Sequence, residues 1–234
     1  MTTRPQKLLE IRDRQASAIT GHKFFFLFVF LLLYLIVYPY TQNKGVAYYT
    51  LRVLGIGITL LSVYAVSFRR SLVFVGMALA IPALVEHLRI AKLDASATSL
   101  LTTAFTLAFD TFIIAVIFRR VFIHKQPTAE TIYGALCSYL LVGLGFASIY
   151  SLLAAVQPHA FYLDPAMTLN TTLNRFDLIY YSFGTLTCLG PAGIAAVSNQ
   201  ARSLSLIEAI LGVLYLAVLI ARLVGARPKT SDEE

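Results

Sequence analysis

Charge is scarce in this chain: only 13% of its 234 residues are Asp, Glu, Lys or Arg, while 58% are hydrophobic. Ordinary soluble domains carry roughly 25% charged residues, so this balance excludes a large soluble domain and makes a bilayer the fitting solvent. Cysteine is scarcer still. Cys137 and Cys188 both lie in apolar or loop stretches, which excludes a disulfide framework and offers no zinc-ligand spacing. No His-Glu-x-x-His string and no Gly-x-Ser-x-Gly turn occurs, and Glu86-His87 is an isolated pair at the end of an apolar segment. The groups an intramembrane hydrolase needs are therefore missing, so neither an enzyme nor a cofactor is expected. The net charge of +7 comes without a basic stripe interleaved with aromatics, which removes nucleic acid from the expected partners. No internal repeat is visible, whereas a secondary transporter would typically show inverted halves.

What is present is a succession of apolar segments. The first, 24–38, follows a polar and basic stretch, 1–23, and ends at Pro39. A cleavable leader would need small residues after the apolar core, and Tyr38-Pro39-Tyr40-Thr41 is a poor site. The second, 46–66, contains Arg52; the third, 72–85, is short, carries Pro82 and closes at Glu86; the fourth, 97–118, holds Asp110. The fifth spans 130–156 and the sixth 202–224. Each is apolar all round, the pattern of a buried or membrane-embedded helix. A hydrocarbon core takes ~20 apolar residues to cross, so the sequence predicts an all-α membrane protein of six transmembrane helices. Its divisions are a cytoplasmic segment 1–23, a four-helix membrane unit 24–118, a unit 129–225 containing the last two spans, and a cytoplasmic tail 226–234. The loop 119–128 is the expected boundary.

Basic residues cluster on one side of this layout. With the amino terminus inside, the inner side holds Arg4, Lys7, Arg12, Arg14, Lys23, Arg69, Arg70, Arg119, Arg120, Lys125, Arg222, Arg227 and Lys229, and the outer side only Lys44, Arg89, Lys92, Arg175 and Arg202. The positive-inside bias predicts both termini in the cytoplasm and a multi-pass protein of the cell membrane, with 5–17 as a basic helix on the inner leaflet. Arg52 and Asp110 are the charges at membrane depth, and a structural pair between the second and fourth spans is expected. His22, His87, His124 and His159 fall in loops or at segment ends and read as solvated.

The connection between the fifth and sixth segments, 157–201, is too long for a simple loop. Its first part, 157–174, has Pro158, Pro165 and several turn formers and reads as an exposed turret. Then comes an aromatic-rich apolar stretch, 176–187, about three helical turns at ~1.5 Å per residue, enough to reach only partway into a bilayer. This predicts a re-entrant helix. Asp177 near its start complements the helix dipole and leaves the negative end aimed at the membrane centre, where it favours a cation.

The stretch Tyr180-Tyr181-Ser182-Phe183-Gly184-Thr185-Leu186-Thr187-Cys188-Leu189-Gly190 resembles the pore helix and filter start of the potassium-channel superfamily, particularly prokaryotic six-span members. The sixth segment, from Ala201 to Gly225, is similar to that family's inner helix. The resemblance implies a homotetramer passing monovalent cations. The backbone carbonyls of Thr187, Cys188, Leu189 and Gly190 would replace the ion's hydration shell, and Pro191, Ala192 and Gly193 would complete the filter. The family's usual filter is Thr-x-Thr-Thr-x-Gly-Tyr-Gly-Asp, and this chain departs from it. Cys188 exchanges a hydroxyl ligand for a weakly polar thiol. Pro191 fixes its own φ and restricts Gly190. Ala192 puts a Cβ where the family has a left-handed glycine, at ~1 kcal/mol or more per subunit. Gly193 removes a carboxylate. An altered outer mouth with weak selectivity or no steady conduction follows.

Two residues of the sixth segment are further candidates. Glu208 is an intramembrane carboxylate, expected either to line a cavity and attract cations or to brace the pore helix from behind. Gly212, one turn on, is a candidate gating hinge or a packing glycine. A usual voltage sensor is not expected: each charge moved across 100 mV supplies only about 2.3 kcal/mol, and the fourth segment has no arginine before Arg119 and Arg120. The expectation is a cation-channel subunit with altered selectivity; the alternative is a non-conducting homologue acting as a regulatory or scaffold subunit.

Overall fold

The computed structural model describes residues 23–41, 46–66, 70–88, 97–123, 129–167 and 172–225. The expected basic helix at 5–17, the tail after 225, His22 and His124 lie outside the described residues. The described chain is almost wholly helical: α1 (Lys23–Val37) with a 3-10 turn (Tyr38–Thr41), α2 (Val46–Val66), α3 (Arg70–Leu88), α4 (Ala97–Ile123), α5 (Ala129–Val156), α6 (Arg175–Leu186) and α7 (Asn199–Gly225). Four of these, α1, α2, α5 and α7, are long and apolar enough to cross a membrane, and α3 holds a shorter apolar run, Leu72–Leu84. Their composition marks a membrane protein.

Local chemistry explains where the helices stop. Pro39 does not end α1 abruptly; the chain tightens into the 3-10 turn through Thr41, a common way to finish a helix. Pro82 is accommodated inside α3, which runs on to Leu88. α4 runs past the expected end of the fourth segment at 118, through Arg119 and Arg120 to Ile123, and 124–128 of the expected boundary loop lie outside the described residues. No breaker intervenes there, and Val121, only 3% exposed, packs into the core. α7 begins three residues before Arg202 because Ser198 caps it: the Ala201 amide donates to Ser198 Oγ at 3.2 Å.

The main core lies among α1, α2, α4 and α5. Phe24, Leu27 and Leu31 form one stripe of α1, and Ile113, Ile117 and Val121 form one of α4, each at helical spacing and buried. Ala135, Cys137 and Leu141 of α5 receive them. In hydrocarbon such stripes gain little by leaving the solvent, so close packing and interhelical hydrogen bonds carry the association. The buried Cys137 thiol, for example, donates to the Phe24 carbonyl at 3.3 Å.

The all-α expectation also needs one correction. β1 (Phe161–Leu163) and β2 (Ile194–Ala196) form a two-stranded antiparallel ribbon with Phe161 opposite Ala196 and Leu163 opposite Ile194. It closes the base of the connection between α5 and α7, and the Val197 amide extends it by donating to the Ala160 carbonyl at 2.9 Å. Phe161 and Ile194 turn inward beside Tyr150, Leu178, Tyr181 and Ala201, a second core at the start of α6. The turret is thus tied down at its first half by residues whose alternation was too short to register as a strand.

Candidate functional site: a short helix and its exposed carboxyl-terminal loop

α6 starts where its sequence can cap it. Asn174 Oδ1 accepts from the Asp177 amide at 3.0 Å, and Asp177 Oδ2 accepts from the Asn174 amide at 2.9 Å. This is a capping box, two otherwise orphaned donors satisfied reciprocally. The Phe176 ring stacks on Tyr38, centroids 5.8 Å apart, joining the start of α6 to the end of α1.

One face of α6 is buried against α5 and α7. The Phe183 ring lies over Gly143 of α5 so closely that a Cβ there would fall 2.7 Å from it. Tyr181 packs edge-on against Tyr150 and Phe161, each with centroids 5.2 Å away. Its hydroxyl meets Ser205 Oγ of α7 at 2.7 Å.

Glu208 sits at the centre of this contact, 0% exposed. Tyr150 of α5 donates to its Oε2 at 2.6 Å, and Ser182 of α6 donates to its Oε1 at 2.5 Å. The Ser182 hydroxyl also lies 2.7 Å from the Gly143 carbonyl. Of the two placements expected for Glu208, these contacts describe the brace: the carboxylate ties α5, α6 and α7 together from behind the short helix. A buried carboxylate is tolerated only with such partners. Sequence reading missed Tyr150 and Ser182 as those partners. The signal was the need itself, a membrane-depth carboxylate requiring donors, but many hydroxyls could have met it.

Gly212 lies one turn along α7, and its bare Cα rests on the Leu186 carbonyl at the end of α6; a Cβ would run into that oxygen. The Tyr139 hydroxyl of α5 donates to the same carbonyl at 3.3 Å. The end of α6 is therefore held from two sides.

Beyond Leu186 the chain emerges. Thr187 is the helix cap, and its hydroxyl donates back to the Phe183 carbonyl at 2.7 Å. Cys188 adopts φ 57°, and its amide donates to the Thr185 carbonyl at 3.0 Å; the Gly190 amide, at φ 82°, reaches back to Gly184 at 3.1 Å. This winding is a left-handed helix ending. It explains a correction: the left-handed positions are Cys188, Gly190 and Gly193, and not Ala192. The steric cost falls on the cysteine, which occupies the place a glycine usually takes after a helix. Pro191 folds back over Gly184 at close contact, and the Ala192 amide donates to the Tyr180 hydroxyl at 3.2 Å. Gly193, at φ 78°, presents its carbonyl to the Asp164 amide at 2.8 Å, tying the loop to the ribbon. Thr187, Cys188, Leu189 and Gly190 are all exposed, Leu189 to 81%.

A small cavity of about 60 Å³ borders α6 on its other side, where Thr59, Thr106 and Asp110 meet Ser148 and Arg175. Asp110 thus faces the start of α6 as well as α2; Arg52 lies one turn before Gly55, which borders the same cavity. Compared with protein-family models, with curated proteins and with solved structures, the chain matches none of them.

Proposed function

We propose that this chain is a subunit of a cation channel of the potassium-channel type, with a selectivity filter altered at 188 and 191–193. The observation that carries the reading is the placement of the Thr187–Gly193 stretch. It follows a capped twelve-residue helix that lies between two helices long enough to cross a membrane. In this reading α1 to α5 and α7 are the six spans, α6 is a re-entrant pore helix, and both termini are cytoplasmic. The negative end of α6 and the exposed peptide groups of 187–190 favour a monovalent cation. One chain supplies only one wall. On α7 only Ala201, Glu208 and Gly212 are buried, while Leu206, Ile207, Ile210, Leu214 and Val218 stand exposed. A homotetramer would cover much of that apolar surface and bring four loops to one axis.

A second reading has its own observation. The loop is wound back onto α6 through the Gly190 and Cys188 amides, and Gly193 spends its carbonyl on Asp164. A continuous ladder of inward carbonyls is not what such a cap provides. This favours a non-conducting homologue that serves as a regulatory or scaffold subunit.

Reconstitution separates the two. Purified protein in vesicles is expected to pass potassium and sodium with weak discrimination, measured as cation flux, and the Pro191→Tyr, Ala192→Gly, Gly193→Asp triple variant to gain selectivity. Flux from the triple variant alone would identify a silent relative. Flux from neither would count against channel ancestry.

A further inference from the structure

A second cavity, about 300 Å³, lies on the side of α7 facing α4 and α5. Ile114 and Phe118 of α4, Val142 of α5 and Leu211 of α7 wall it, and Leu186 closes its inner end. Of the three hydroxyl-bearing residues on its wall, Thr111, Tyr139 and Tyr215, both tyrosines are already engaged. Tyr139 donates to the Leu186 carbonyl at 3.3 Å, and Tyr215 donates to the Ala135 carbonyl at 2.6 Å. The wall therefore offers almost nothing for water to bond, and water enters a cavity only where it finds several polar partners. An apolar cavity of about 150 Å³ stays dry yet admits benzene, so one of this size takes a chain of roughly a dozen carbons.

The opening decides which chain. Phe118, 42% exposed, and Leu211, 46% exposed, stand at the surface as well as on the wall. Leu211 adjoins the α7 surface that a tetramer would cover, but Phe118 belongs to α4, so on the α4 side the medium outside the opening is the hydrocarbon around a membrane protein. We propose that this cavity is a binding site for one acyl chain of a bilayer phospholipid, which enters between α4 and α7 and ends against Leu186. The site is distinct from the 187–193 loop, and its occupation does not depend on whether the protein conducts ions.

The test uses the full chain in phosphatidylcholine vesicles doped with phosphatidylcholine carrying a diazirine midway along one acyl chain. After photolysis, peptide mapping is expected to place adducts on Phe118, Val142 and Leu211, saturating as the labelled lipid is raised. Adducts on exposed Phe26 and Ile36 of α1 are expected to rise in proportion to it. Ala115→Phe, from the α4 wall, and Val142→Phe, from the opposite one, each fill the cavity. Both should lose the cavity adducts while the α1 adducts and the helical circular dichroism persist; two independent positions guard against one variant misfolding. Cavity adducts that are absent, that never saturate, or that survive both filling substitutions would overturn the proposal. Adducts that form on detergent-dispersed single chains but not in vesicles would also overturn it, by showing a second copy seated in the opening.

Discussion

Glu208 was legible in the sequence as an anomaly, a carboxylate at the seventh position of the apolar segment 202–224, but its job was not. Only the fold brings Tyr150 and Ser182 to its two oxygens. Replacing it by Ala takes the acceptor from the buried Tyr150 hydroxyl, at ~1–3 kcal/mol, while Ser182 keeps the Gly143 carbonyl, so Glu208→Ala should lower the thermal midpoint in detergent below that of Glu208→Gln, which keeps the volume and one acceptor. Equal midpoints for Ala and wild type would remove the brace. Cys188 carries the opposite prediction. With φ 57° it holds a conformation that costs a side chain about 1 kcal/mol, so Cys188→Gly should raise the midpoint by a small, measurable amount. A drop would mean that the thiol makes a contact worth more than the strain.

At the level of elements, α6 is the informative one. Its length and aromatic content were readable, and so was the acid in its first turn; the reciprocal cap with Asn174 needed the backbone to turn at that residue. Asn174→Ala should cost about 1 kcal/mol, the usual worth of a helix cap, measurable as earlier unfolding of the purified protein. Gly212→Ala should cost at least as much, because overpacking of this kind forces backbone apart. The added methyl meets the Leu186 carbonyl. Gly225→Ala, where a Cβ would meet nothing, should change little. If Gly212→Ala altered gating while leaving the midpoint intact, the close contact would be unimportant and a hinge role would stand. The ribbon of β1 and β2 shows why short strands escape sequence reading. Three residues give barely one period of alternation, and pairing across more than thirty positions of chain decides the rest.

Across the whole molecule, the two cysteines report placement. Cys188 is exposed and Cys137 is buried in the α1–α5 core. A maleimide added to the purified protein should modify wild type and fail on Cys188→Ala. Label retained by Cys188→Ala would place the reactive thiol at Cys137 and show that the α1–α5 core opens. By itself the sequence determined the apolar medium and, among the described residues, the approximate limits of the helices and the place of the unusual loop, because hydrophobic runs, prolines and charge clusters act locally along the chain. The tertiary structure decided what the buried groups do. Whether Glu208 faces an open cavity or a neighbour, whether Gly212 is free or pressed on a carbonyl, and which residue bears the left-handed strain all depend on how α5, α6 and α7 cross. That crossing is set by packing between residues far apart in sequence, where no local pattern records it.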